Sequence, residues 1–365
     1  MKKLITIATI FIVCASLLVA GGSNESESAA ADDGAFSALY LVNGSLGDKG
    51  FYDSAASGFY TLRDEDGANI KIVEMGRNEA SYEGYYLDAS EQDWDVIVSG
   101  TWSVLELVEE IAEQFPDQDY IFFDGTSDMD NVMGISYQSN ETAFMAGALA
   151  ALMLDSGDAK IDPSQRVLGF VGSMDAANIN DFLVGYIDGI RYIDPTIRVL
   201  TSYVGSFEDV PKCMEMTTQM YNQGAQIIYA PASQSILGAV TASSNEDKYL
   251  IACDTDIWAS MEESDPELVR NVITSSLKKV GESLTVAMRG LRDGTMSTDE
   301  NYVLGLSSGS VGLADNENYR AIVPEDIRTK LDEIAAMVAN GEIPVRMATG
   351  TPTEEVAAIR DSMKP

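Results

Sequence analysis

The side chains able to do chemistry here are carboxylates, aromatics and a few cations, because the sequence contains no histidine. That removes the usual general base near neutral pH, the usual zinc ligand and every Ser-His or Cys-His nucleophile pair. Two stretches still match catalytic patterns. Gly305-Leu306-Ser307-Ser308-Gly309 has the spacing of a nucleophile elbow, and Ser275-Ser276-Leu277-Lys278 that of Ser-x-x-Lys. The elbow lacks a base to complete a triad, and no Lys-Thr-Gly follows the second motif. Phosphate-loop and dinucleotide glycine patterns are missing. The run Asp124, Asp128 and Asp130 lacks the spacing and glycine of a calcium loop. Neither catalysis nor a metal or other cofactor is expected.

Recognition is the chemistry that remains. Asn43 to Asp53 combines three glycines, which let backbone approach a ligand, with Asn43, Asp48 and the adjacent rings of Phe51 and Tyr52. An ordinary turn between a strand and a helix has the same composition. Trp102, beside Gly100 and Thr101, is either a stacking plate or a lid over the core. Phe207 stands alone among Gly205, Ser206, Glu208 and Asp209, as a ligand contact or as a staple onto the next helix. Asp254 and Asp256 are able to accept paired hydrogen bonds from vicinal hydroxyls, or to be plain solvated carboxylates. The overall balance of 23 Lys+Arg against 58 Asp+Glu, formally −35, repels polyphosphates and anionic lipid heads. It excludes nucleic acid as a partner and favours a neutral or weakly cationic small molecule.

These residues need elements that bring them together, and the chain supplies them. Short β-rich runs alternate with amphipathic ones from Phe36 onward, which predicts α/β lobes with parallel sheets covered by helices. Strands are predicted at 37–42, 70–74, 96–99, 120–124 and 132–137, with helices at 52–64, 80–92 and 104–115. A second unit begins with a helix at 141–154 and has strands at 166–171, 198–203, 227–230 and 249–253. Its further helices are predicted near 180–192, 210–222 and 233–243. A helix over 275–291 and the segment 302–313 find no place in either unit, so the chain is expected to cross back. In open parallel sheets ligands bind beyond the carboxyl ends of the strands. The positions singled out above, and Pro231 to Gln234, lie just there.

Lys2 and Lys3, an apolar run from Leu4 to Ala20, and Gly21-Gly22 read as an export signal. The Ser/Glu/Ala-rich stretch to Asp33 reads as a flexible tether. Gly22 stands where a lipid-bearing cysteine would be, so the sequence leaves membrane anchoring open. Cys14 falls inside the signal. Cys213 and Cys253 either pair in an oxidising compartment or are separate buried thiols.

Six segments in order resemble the basic membrane protein family of ABC-transporter substrate-binding lipoproteins, which includes purine nucleoside receptors. They are Gly47 to Ala55, Tyr137 to Gly147, Gly169 to Ser173, Tyr203 to Asp209, Cys253 to Asp256 and Val272 to Lys278. The resemblance implies a type I periplasmic-binding-protein fold, two Rossmann-like lobes joined by a multi-crossover hinge. Expected limits are a signal at 1–22, a tether at 23–35, an N-terminal lobe at 36–140 and 257–300, a C-terminal lobe at 141–256 and 301–345, and a tail at 346–365. It further implies a base held between Phe51 and Phe207, and sugar hydroxyls meeting Asp254 or Asp256 and Lys278. Asn43 falls near a position where relatives carry aspartate, and Asp124 near another acidic ligand residue. Tyr52 departs from the family, whose members usually have an asparagine there, an amide suited to bidentate contact with a purine edge. The implied protein is an exported monomer, at the cell surface or in the periplasm, delivering a nucleoside to ABC permease and ATPase subunits. A sugar receptor of the same fold and a sensor passing occupancy to a signalling partner are the alternatives.

Overall fold

The computed structural model describes residues 34–365. The expected export signal, Cys14 and most of the expected tether lie outside the described residues. Strands form at Ser37–Val42 (β1), Asn69–Glu74 (β2), Val96–Gly100 (β3), Tyr120–Phe123 (β4) and Val132–Tyr137 (β5). They continue at Val167–Gly172 (β6), Arg198–Tyr203 (β7), Ile227–Tyr229 (β8), Tyr249–Asp254 (β9), Val272–Lys278 (β10), Asn301–Leu304 (β11) and Val311–Leu313 (β12). One sheet runs β11-β5-β4-β3-β1-β2 and the other β12-β10-β9-β8-β6-β7. The pairings are parallel except that of β10 with β12, and helices cover both sheets. Central strands such as β3 and β4 are buried along their whole length, which is why they read as unbroken apolar runs. This is the two-lobed α/β plan the sequence predicts.

The crossings fall elsewhere than the sequence limits of 257 and 301. β10 pairs with β9 in the second sheet, whereas β11 pairs with β5 in the first. The chain therefore passes between lobes near Gln138, Lys279 and Gly305. The helix predicted over 275–291 is a strand to Lys278 and a helix only over Val280–Arg292. Thr274, Ser275 and Ser276 made β10 look unlike a buried strand. They are nonetheless buried and bonded: Thr274 donates to the Ala314 carbonyl at 2.7 Å, Ser275 accepts from the Ile257 N–H, and Ser276 lies 2.7 Å from the Tyr229 hydroxyl.

The last residues do not hang free either. Thr353–Asp361 is a helix, Val356, Ile359 and Met363 are buried, and the Val199 N–H donates to the Met363 carbonyl at 2.7 Å. In the second lobe the helices Ser139–Met153 and Ala177–Ile193 pack backbone to backbone. A Cβ on Gly147, Gly185 or Gly189 would lie 2.0–2.1 Å from a carbonyl oxygen of the facing helix. That contact fixes where the first turn of Ala177–Ile193 stands.

Candidate functional site

The carboxyl ends of both sheets face one cavity of about 530 Å³, within the range of small-molecule sites. From the first lobe it is lined by Asn43, Phe51, Tyr52, Arg77, Trp102 and Asp124, among others. From the second come Asn178, Phe182, Phe207, Glu208, Asp254 and Lys278. Of the ten residues singled out in the sequence, Asp48 and Asp256 are not in the lining.

Both of those carboxylates do local structural work. Asp48 accepts N–H groups of Gly50, Tyr52 and Asp53 at 3.0–3.1 Å, pinning the first turn of Phe51–Asp66 so that Phe51 meets the cavity. Burial pushes its carboxyl above the ordinary range, against those backbone bonds. Asp256 caps Ile257–Met261 through the Ala259 N–H and accepts from the Asn316 amide at 2.8 and 3.0 Å.

Lys278, at the end of β10, reaches across to Asp124 of the other lobe at 2.7 Å, both nearly enclosed. Its ammonium also lies 5.3 Å from the Phe51 ring centroid and 5.5 Å from those of Tyr137 and Phe182. Burial pulls its pKa down, but Asp124 and Asp254 more than offset that and hold it above the ordinary lysine range. For Asp254, burial pushes the carboxyl up; Lys278 opposes the rise, while Asp124 and Asp48 add to it. Lys278 thus stands between two acids, one ion-paired and one facing the cavity.

Phe51 packs on Phe123, ring centroids 5.2 Å apart. Phe207 is half-buried against the second lobe's core, and Trp102 is 52% exposed on the rim, so it is no lid over the core. The Asn43 amide donates to the Thr101 hydroxyl at 2.5 Å. Tyr52 is turned inward: its hydroxyl donates to the Asn43 carbonyl at 3.2 Å, and burial, against the pull of Arg77, pushes its pKa up to about 12. Cys253 also lines the cavity; it and Cys213 are free, buried thiols.

Arg77, which the sequence reading passed over, stacks on the Tyr52 ring at 5.6 Å and binds Glu208 of the opposite lobe at 2.5 Å. It follows β2, so the strand-end rule applied to that strand finds it. Asn178 and Phe182 lie one turn apart on the helix after β6, a strand end that the sequence reading likewise passed over. Thr255, next to Asp254, adds another bridge between lobes, its hydroxyl donating to the Lys49 carbonyl at 2.6 Å.

Four cavity residues other than glycine hold positive φ: Thr101 (77°), Asp124 (66°), Ser233 (50°) and Asp254 (68°). Such conformations cost on the order of 1–3 kcal/mol each and cluster where function requires them. Here they turn the chain at strand ends so that Asp124 and Asp254 face inward. Two cations, Arg77 and Lys278, stand in the lining against four carboxylates, Glu79, Asp124, Glu208 and Asp254. The arrangement can bind flat rings and donor-rich groups, and it opposes anions.

Residues 36–346 match the Bmp family profile, described as ABC transporter substrate-binding protein PnrA-like. Basic membrane protein D of Borreliella burgdorferi is 28% identical, the match covering 84% of this chain and 86% of that protein. A CD4+ T-cell-stimulating antigen of Listeria innocua is 24% identical over 94% of this chain and 99% of its own length. The fold is similar to that of an ABC transporter solute-binding protein from Aeropyrum pernix, with a TM-score of 0.77 at 23% identity, covering 90% and 99% of the two chains.

Proposed function

This chain belongs to the Bmp family of PnrA-like ABC transporter substrate-binding proteins, and from that premise we propose that its cavity binds a nucleoside, a purine nucleoside foremost. The observation that carries the reading is the meeting in one cavity of Phe51 from one lobe and Phe207 from the other with Asp254 and Lys278. The two rings take the faces of a planar base, each stack contributing about 1–3 kcal/mol. A micromolar complex needs about 8.2 kcal/mol net of association costs, so the rings do not suffice. Asp254 accepts the ribose hydroxyls, and the Lys278 ammonium opposes the rise that burial imposes on that carboxylate. Asp124 pairs with Lys278, while Asn43 holds the Thr101 turn beneath the base. Asp48 and Asp256 support the two loops from behind.

A base touching both lobes favours the closed form by its differential affinity, and the closed form is what a permease with its ATPase subunits reads. In this account the protein is exported, acts as a monomer and catalyses nothing. The lobes are 36–138 with 280–304 and 139–278 with 305–365, following sheet membership. A thermal-shift panel tests the ligand class. Inosine, adenosine and guanosine are expected to raise Tm, with ribose, glucose and free bases less effective; stabilisation by a sugar and by no nucleoside would overturn the proposal.

A further inference from the structure

We infer that Asn178 reads the edge of the base. Its side-chain oxygen is enclosed with no hydrogen-bond donor from the protein, and it is the one such atom among the described residues that belongs to a residue lining the cavity. Buried acceptors are rarely left unpaired, because an orphan costs its full desolvation. The contrast with Asn180 is instructive. Two residues along the same helix, the Asn180 amide is spent on the protein, donating to Asp175 at 2.8 Å and accepting the Tyr203 hydroxyl at 2.5 Å. Asn178 has no such partner for its oxygen. Neither does the helix start employ it, for Ala177–Ile193 carries no side-chain cap.

Asn178 and Phe182 stand at i and i+4, and both line the cavity. Phe182 in turn faces the Lys278 ammonium. The enclosed oxygen is shielded from the cavity as it stands, but an amide's terminal torsion is broad, so a turn about it brings the acceptor and its neighbouring donor onto a base edge that carries an N–H next to an acceptor. Hypoxanthine, guanine and adenine all have such an edge. Tyr52 does not compete for it, its hydroxyl being engaged with the Asn43 carbonyl. The faces of the base thus belong to Phe51 and Phe207, and its edge to the first turn of the helix after β6.

The inference rests on the nucleoside reading, and the test separates the two. Inosine and purine riboside, which lacks the 6-oxygen and the N1–H, are titrated calorimetrically into the wild type, Asn178→Leu and Asn178→Asp. The wild type is expected to prefer inosine by about ten- to a hundredfold, the span of one buried acceptor left unpaired. Asn178→Leu should lose that preference while still binding purine riboside, and Asn178→Asp, which keeps an acceptor, should retain it. A Leu variant that still discriminates would overturn the role of Asn178 and leave the nucleoside reading standing. Failure of both compounds to bind the wild type, with a sugar binding instead, would overturn both.

Discussion

Lys278 and the two acids beside it give the cavity its sharpest chemistry. Asp254 is held above the ordinary carboxylate range by burial, so acidification protonates it before a surface acid. Hydroxyl donors bind the ionised form, so ligand affinity is full above that raised pKa and is lost as pH falls through it. Inosine titrations from neutral to acidic pH should show the loss in the wild type, and Asp254→Asn should bind weakly with no such dependence. A wild-type affinity independent of pH would contradict the role of Asp254. Phe207→Ala should weaken inosine binding by about five- to a hundredfold, the worth of one stacked face, and unchanged calorimetric affinity would remove Phe207 from the ligand. At this scale much was legible, because a residue just past a strand declares itself by position: Phe51, Asp124, Phe207 and Asp254 all line the cavity. Asp48 and Asp256 obey the same rule but turn back to cap backbone N–H groups, and sequence alone does not separate a carboxylate that caps from one that binds.

Among the elements, the helices Ser139–Met153 and Ala177–Ile193 set the position of Asn178 and Phe182 through glycine contacts. A methyl group on Gly185 would lie 2.1 Å from the Asn140 carbonyl oxygen, so the helices must part. Gly185→Ala should destabilise the fold by about 1–3 kcal/mol, visible as a Tm lowered by several degrees; an unchanged Tm would show that the pair yields freely. Arg77 and Glu208 join the loop after β2 to that after β7 across the cavity mouth. Being half exposed, the pair should slow release of inosine only about two- to fivefold, an effect lost in 1 M salt and restored by exchanging the two charges. Stopped-flow release rates check this, and an exchanged pair no slower than Arg77→Ala would contradict it. The elements were legible where apolar periodicity was unbroken. β10 was not, since its Ser-Ser-Leu-Lys run resembles a helix start until the hydrogen bonds of Thr274, Ser275 and Ser276 are seen.

For the whole molecule, two sheets meet at their carboxyl ends and the chain passes between them three times. Where the chain crosses depends on pairing partners far apart in sequence, so the crossing near Lys279, expected at 257, escaped a reading of local pattern. Charge acts at this scale as well. A formal −35 makes the folded chain repel itself, and salt relieves that repulsion. Tm should rise with added NaCl at constant pH, and a flat or falling trend would show the surface charges to be locally compensated. The measurement closest to the central claim is calorimetric titration of the wild-type protein with inosine beside ribose, glucose and allose. Micromolar or tighter inosine binding with a negative heat-capacity change, and no heat from the sugars, is the predicted result. Saturable heat from a sugar with none from inosine would contradict it.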